Sequence, residues 1–265
     1  QWNAAASQCQ TVLCALTALF NSEEAAQRVM SFHKDTHYAI SVDQNENASR
    51  PGLQQLWSLE EIRTIDMTVR QFPSNFLRMP QLKAFKRVAD GISCLAFHYT
   101  GCGASASYNG IIRIFQNATQ DSSYFRFAVA HELGHEFDFQ NKITVDDRFA
   151  FRRSSFTDLS GWEKAGVETN PTLNTSNAGF TSQVSAKFLG DSSKTQPVED
   201  FADCIGYYLF NPSEFKSKAP EKYQYLKQHF FGNLEYKDSD IIKDLFDKIS
   251  GNKKVQNQCF TKLDE

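Results

Sequence analysis

The chain has no Cys-x-x-Cys pair, no massed run of lysine and arginine, and no apolar stretch long enough to cross a membrane. The first absence excludes a structural zinc knuckle. The second leaves nucleic acid and anionic membranes without electrostatic support as partners. The 28 basic and 31 acidic residues are scattered, for a formal net charge of −3. The third absence excludes a membrane span: "TVLCALTALF", near the start, is ten residues with polar flanks, where a spanning helix needs about 20. No internal repeat is visible, so repeat architectures drop out as well.

What is present suits a folded domain. The 265 residues are 41% hydrophobic and 22% charged, enough to bury a sizeable core. Opening on Gln1 rather than Met predicts a processed N-terminus, with any signal peptide already removed. Cys9, Cys14, Cys94, Cys102, Cys204 and Cys259 form an even set. That predicts an oxidised, exported protein, secreted or periplasmic, with six reduced core thiols as the alternative. Proximity favours Cys94–Cys102 across a turn. Cys204–Cys259 would tie the C-terminal tail to a helix, and Cys9–Cys14 would remain. Sequons at Asn47, Asn117 and Asn174 decide nothing in a chain this rich in Asn, Ser and Thr.

Residues 1–71 read as a helical region. "SEEAAQRVM" and "SLEEIRTIDMTVRQF" each begin with a serine cap followed by acids. "PQLKAFKRVADG" reads as a short helix ending at Gly91. "ISCLAFHYT" (92–100) and "GIIRIFQ" (110–116) read as strands, joined by the glycine- and serine-rich "GCGASASYN". "SSYFRFAVAHELGHEFDFQ" reads as a capped helix. Residues 140–196 form a long connection; from 152 onward apolar residues appear singly, as in a disordered segment or a substrate lid. "QPVEDFADCIGYYLFNP" reads as a helix bounded by Pro197 and Asn211-Pro212, and "PEKYQYLKQHF" and "DSDIIKDLFDKIS" as two more.

The motif that carries chemistry is "HELGH", 131–135. Residues four apart share one helix face, so His131 and His135 can point at one ion while Glu132 reaches a water beside it. A third histidine six residues after the second is missing: Asn141 stands there, and Asp138 stands where the associated glycine would be. The third ligand must come from elsewhere. "VEDFAD" offers Glu199 as that ligand and Asp203, one turn on, to hold a zinc histidine in its tautomer. Asp200 and Asp203 are the fallback ligands. An acidic patch favoured at a helix N-terminus is the plain alternative. His33 and His37 are also four apart but lack the glutamate, and read as a helix end. His98 reads as an ordinary strand histidine.

HELGHxxD, then EDFAD, then "YYLFNPSEFKSKAPEKYQYLKQ" resembles the lethal-factor-like zinc peptidases. This gluzincin group includes the anthrax lethal factor catalytic domain and the secreted Pro-Pro endopeptidases. The likeness covers roughly residues 72–230. It implies a single α+β, mostly helical, zincin-like metallopeptidase domain: a helical region (1–71), a small sheet with the HExxH helix (72–139), the long loop or lid (140–196) and a helical part carrying the third ligand (197–265). It also implies one Zn2+ on His131, His135 and Glu199, with Glu132 as general base. Members of the group place an oxyanion-stabilising tyrosine about two turns before the third ligand. Ser192 stands there, and no tyrosine lies between Tyr124 and Tyr207. Tyr207, Tyr208 and His229 are the remaining candidates.

The expected chemistry is hydrolysis of a peptide or protein substrate by a monomer. The strand preceding the zinc helix (Gly110, Ile111, Ile112, Arg113, Ile114) is expected as the sheet edge that pairs with substrate. Two alternatives share the same residues: a zinc hydrolase of a non-peptide amide, and an inactive zincin serving as a binding or toxin-targeting module.

Overall fold

The computed structural model describes residues 8–42, 56–88, 99–100, 103–146, 150–164, 173–175, 180–183, 186–239 and 260–261. Its architecture is α+β. Helices α1 (Val12–Phe20), α2 (Glu23–Thr36) and α3 (Leu59–Val69) make up most of the described residues of the N-terminal region. Ser22 caps α2, and Ser58 closes a full capping box with Glu61 on α3, as the serine-acid pattern predicts. His37 ends α2 in the left-handed region, which fits a helix end. Cys9 and Cys14 are disulfide-bonded at the start of α1.

Between these helices lies a strand that the helical reading overlooks, β1 (Ala39–Val42). It opens a mixed sheet with β2 (Ala84–Arg87), β3 (Ala104–Ser107) and β4 (Ile111–Ile114), in the order β1-β2-β4-β3. The first three in that order are parallel, and β3 runs antiparallel to β4, with Ala106 opposite Ile112.

Two expectations are corrected here. The "PQLKAFKRVADG" segment supplies strand β2 in place of a helix, because Phe85 and Arg87 are buried between neighbours on both sides and tertiary packing overrides propensity. Gly110–Ile114 is an interior strand, paired with β2 on one side and β3 on the other, so it cannot offer an edge. Among the described strands the edge on that side of the sheet is β3, hidden within the glycine-serine "connection". Of "ISCLAFHYT", only Tyr99–Thr100 is described, as a strand against Phe260–Thr261. His98 and the Cys94–Cys102 pairing fall outside the described residues, as does the "DSDIIKDLFDKIS" helix.

A short helix α4 (Gln116–Thr119) leads into α5 (Ser122–Asn141), which is capped by Asp121 accepting from the Ser123 and Tyr124 amides at 2.8 and 2.9 Å. At its far end Lys142 turns into the left-handed region. Asp138 then accepts from the Ile143 and Thr144 amides (3.0 and 2.7 Å) and from the Thr144 hydroxyl. Burial pushes the Asp138 carboxyl up to about 6 against those bonds.

The described residues of the 152–196 stretch carry regular structure that its composition does not suggest. It holds α6 (Ser155–Leu159), a small antiparallel sheet of β5 (Glu163–Lys164), β6 (Leu173–Thr175) and β7 (Phe180–Gln183), and a 3-10 turn at Ser192–Lys194. Phe156, Trp162 and Leu189 anchor it in the interior. Helix α7 (Pro197–Phe210) follows, with Pro197 at its first position and Asn211 at its end. All of its residues are buried. Helices α8 (Pro212–Lys218) and α9 (Pro220–His229) complete the described C-terminal part. Cys204 is a free thiol buried in α7, which corrects the Cys204–Cys259 pairing; burial pushes that thiol up. No helix among the described residues is long and apolar enough to cross a membrane.

Candidate metal centre

Two buried helices, α5 and α7, cross with almost no side-chain layer between them. Gly134 makes this possible: a Cβ there would lie 2.9 Å from the Ala202 Cα and 3.2 Å from the Ile205 Cβ. Gly206 in turn receives the Phe127 ring, which a Cβ would meet at 2.4 Å. The residues three before and one after Gly134 therefore face those three before and one after Ala202.

His131 and His135 project from α5, their Nε2 atoms 3.0 Å apart. Glu199 reaches from α7, with Oε2 at 3.2 Å from His131 Nε2 and Oε1 at 3.4 Å from His135 Nε2. These three residues offer ligand atoms within 4.8 Å of one another and could hold a metal ion. On the other side of the His131 ring, Asp203 Oδ1 lies 3.0 Å from Nδ1, somewhat off the direction of the ring N–H. All four side chains are buried or nearly so.

The charges are arranged accordingly. Burial alone would lower His131, yet Asp203 and Glu199 outweigh it and hold the imidazole well above its ordinary value. Burial opposes the Glu199 carboxylate too, but both imidazoles keep it far below the usual carboxylate range. Glu132 points from the same helix into a buried setting that raises its carboxyl; the two imidazoles and the Ala106 backbone amide of β3 act the other way. The edge strand thus runs beside the proposed base. Glu136 lies deeper, next to Ser107. Burial pushes its carboxyl up to about 8, and its Oε1 has no hydrogen-bond partner among the described residues.

The other expected residues are placed elsewhere. Asp200, a fallback ligand, is buried in a cluster of its own. It pairs with Lys222 Nζ at 2.7 and 2.8 Å, and accepts from the Ser160 hydroxyl at 2.6 Å and the Trp162 indole at 3.0 Å. Asp203, the other fallback ligand, lies on the far side of His131, apart from the three residues that could hold an ion. Tyr207 donates to the Leu189 carbonyl at 3.1 Å, Tyr208 donates to the Leu234 carbonyl and stacks on Phe231 in the core, and His229 lies at an exposed helix end against Tyr225. Sequence reasoning missed Lys222 and the partner of Asp203, which is Ser192: its hydroxyl donates to Oδ2.

Comparison with protein-family models, with curated proteins and with solved structures finds no match to this chain.

Proposed function

We propose that this chain is a zinc-dependent endopeptidase. The observation that carries the reading is the convergence of two imidazole Nε2 atoms and one carboxylate from separate helices, with an additional buried carboxylate, Glu132, beside them. The donor set suits zinc. With bonds of ~2.0–2.1 Å, the edges of a tetrahedral site are about 3.3 Å, and the ligand-atom separations here are 3.0, 3.2 and 3.4 Å. Two nitrogens and one carboxylate leave a position open, as in catalytic rather than structural zinc sites.

Zinc, when bound, would supply Lewis acidity toward a water and toward a substrate carbonyl. The rest falls to the chain. His131, His135 and Glu199 hold the ion, and Asp203 keeps the His131 proton on Nδ1 so that Nε2 presents a lone pair. Glu132 takes a proton from the water attacking the carbonyl carbon and returns it to the leaving amine nitrogen. Its raised pKa brings it nearer to working pH, as a general base requires.

A peptide rather than a small amide is favoured by β3. Among the described residues this strand is paired with another strand only on its β4 side, and its Ala106 amide stands at Glu132. An extended substrate backbone could add to that edge. The Cys9–Cys14 disulfide supports an exported protein. The test is mass-spectrometric profiling of a peptide library with the zinc-loaded protein, with and without a chelator. Internal cleavage abolished by chelation is expected; an intact library in both arms would contradict the reading.

A further inference from the structure

Ser192 stands seven residues before Glu199, where the resemblance places a tyrosine, yet its hydroxyl is directed at a carboxylate. Oγ donates to Asp203 Oδ2, while Oδ1 of the same carboxylate lies 3.0 Å from His131 Nδ1. Asp203 is buried; among the described residues Ser192 Oγ is its hydrogen-bond donor, and His131 Nδ1 faces its other oxygen at ion-pair distance.

The turn that carries Ser192 is built to stay in place. Thr195 donates to the Ser192 carbonyl from both its amide (2.9 Å) and its hydroxyl (2.6 Å). The Gly190 amide donates to Ser193 Oγ at 3.0 Å, and Ser193 is fully buried. The preceding Leu189 is buried, and its carbonyl is held by Tyr207 from α7. Gly190 passes directly over the carboxylate: a Cβ there would lie 3.5 Å from Asp203 Oδ2 and 3.8 Å from Ser192 Oγ.

A carboxylate bound only through one oxygen can rotate about its Cβ–Cγ bond and lose its aim. With Oδ2 fixed by a rigidly mounted hydroxyl, Oδ1 is left on the side of the imidazole, 3.0 Å from Nδ1. That orientation keeps the proton on His131 Nδ1 and the lone pair on Nε2. We infer that Ser192 is a positioning residue for metal binding, acting through Asp203 on His131. The inference rests on the metal reading above and adds a residue that touches neither metal nor substrate.

The experiment measures Zn2+ affinity of the full chain, first stripped of metal, by competition with a chromophoric chelator. Ser192→Ala is expected to weaken affinity about 10-fold, the lower end of what removing such supporting contacts costs. Ser192→Thr keeps the hydroxyl and should retain wild-type affinity. Ser192→Val matches threonine in shape and should not, which holds the comparison together if the alanine variant folds poorly. In an Asp203→Asn background, Ser192→Ala should change affinity less than 2-fold, because the partner it acts through is already altered.

A general structural role would instead give an undiminished loss in that background and a loss shared by threonine and valine. Either of those results, or wild-type affinity in Ser192→Ala, would overturn the inference while leaving the metal site standing. A wild-type protein that binds no Zn2+ would overturn the metal reading itself.

Discussion

Gly134 of α5 rests directly on Ala202 of α7, so closely that a Cβ on the glycine would lie 2.9 Å from the Ala202 Cα. The proposed metal centre depends on this contact. His131 and His135 flank Gly134 on one helix, and Glu199 and Asp203 flank Ala202 on the other. Any added side chain here separates ligands that now lie 3.2 and 3.4 Å from Glu199.

Gly134→Ala is therefore expected to act twice. Overpacking against backbone should lower stability by ~1–3 kcal/mol, read by urea denaturation of the metal-free protein. Zn2+ affinity should fall as well, because the helices must move apart. A variant with both quantities unchanged would show that the helix spacing is not critical.

Glu132→Gln should keep the metal and lose the chemistry. The amide cannot accept a proton from water, so a drop in turnover of roughly 10²–10⁴-fold is expected, with zinc content unchanged by elemental analysis. Undiminished turnover would remove Glu132 from the mechanism.

The Asp200–Lys222 pair, buried among Ser160, Trp162 and the Lys187 carbonyl, ties those three residues and α9 to α7. Lys222→Met leaves a buried carboxylate without its cation, which should cost about 3–5 kcal/mol. Chemical denaturation checks this; a loss within 1 kcal/mol would mean that Asp200 is already neutral or solvated.

Glu136 gives a pH dependence of defined sign. Folded, its carboxyl holds a proton up to about 8; unfolded, it releases it near its ordinary 4.5. Across that window the folded state binds more protons, so stability falls as pH rises. Glu199 is shifted the other way: its contribution is present above 4.5 and is lost on acidification. Melting temperatures of the metal-free protein should decline less between pH 5 and 8, a range taken from that window, in Glu136→Gln than in wild type. Identical slopes would contradict a buried, protonated Glu136.

The legible parts of this chain were those with local signals. The serine caps of α2 and α3, the Pro197 and Asn211 bounds of α7, and the i, i+4 spacings of His131/His135 and Glu199/Asp203 are all written within a few residues. What was obscured depends on tertiary pairing. Strand β2 carries a helix-like composition, and only its burial between β1 and β4 makes it a strand. The edge strand β3 is Ala-Ser-Ala-Ser, which reads as a linker because small residues carry no strand signal. Asp200 reads as a fallback ligand beside Glu199, and only Lys222, 22 residues on, places it in another cluster. Ser192 stands where the resemblance would put a tyrosine, while its contact with Asp203 follows only from the turn folded over α7.

The claim at the centre of this account is a single metal ion shared between α5 and α7. Equilibrium Zn2+ binding to the stripped protein tests it most directly, with Glu199→Ala and Glu132→Gln measured beside wild type. One equivalent bound tightly by wild type and by Glu132→Gln, with affinity sharply reduced in Glu199→Ala, is the predicted result. Full-affinity binding by Glu199→Ala would contradict it.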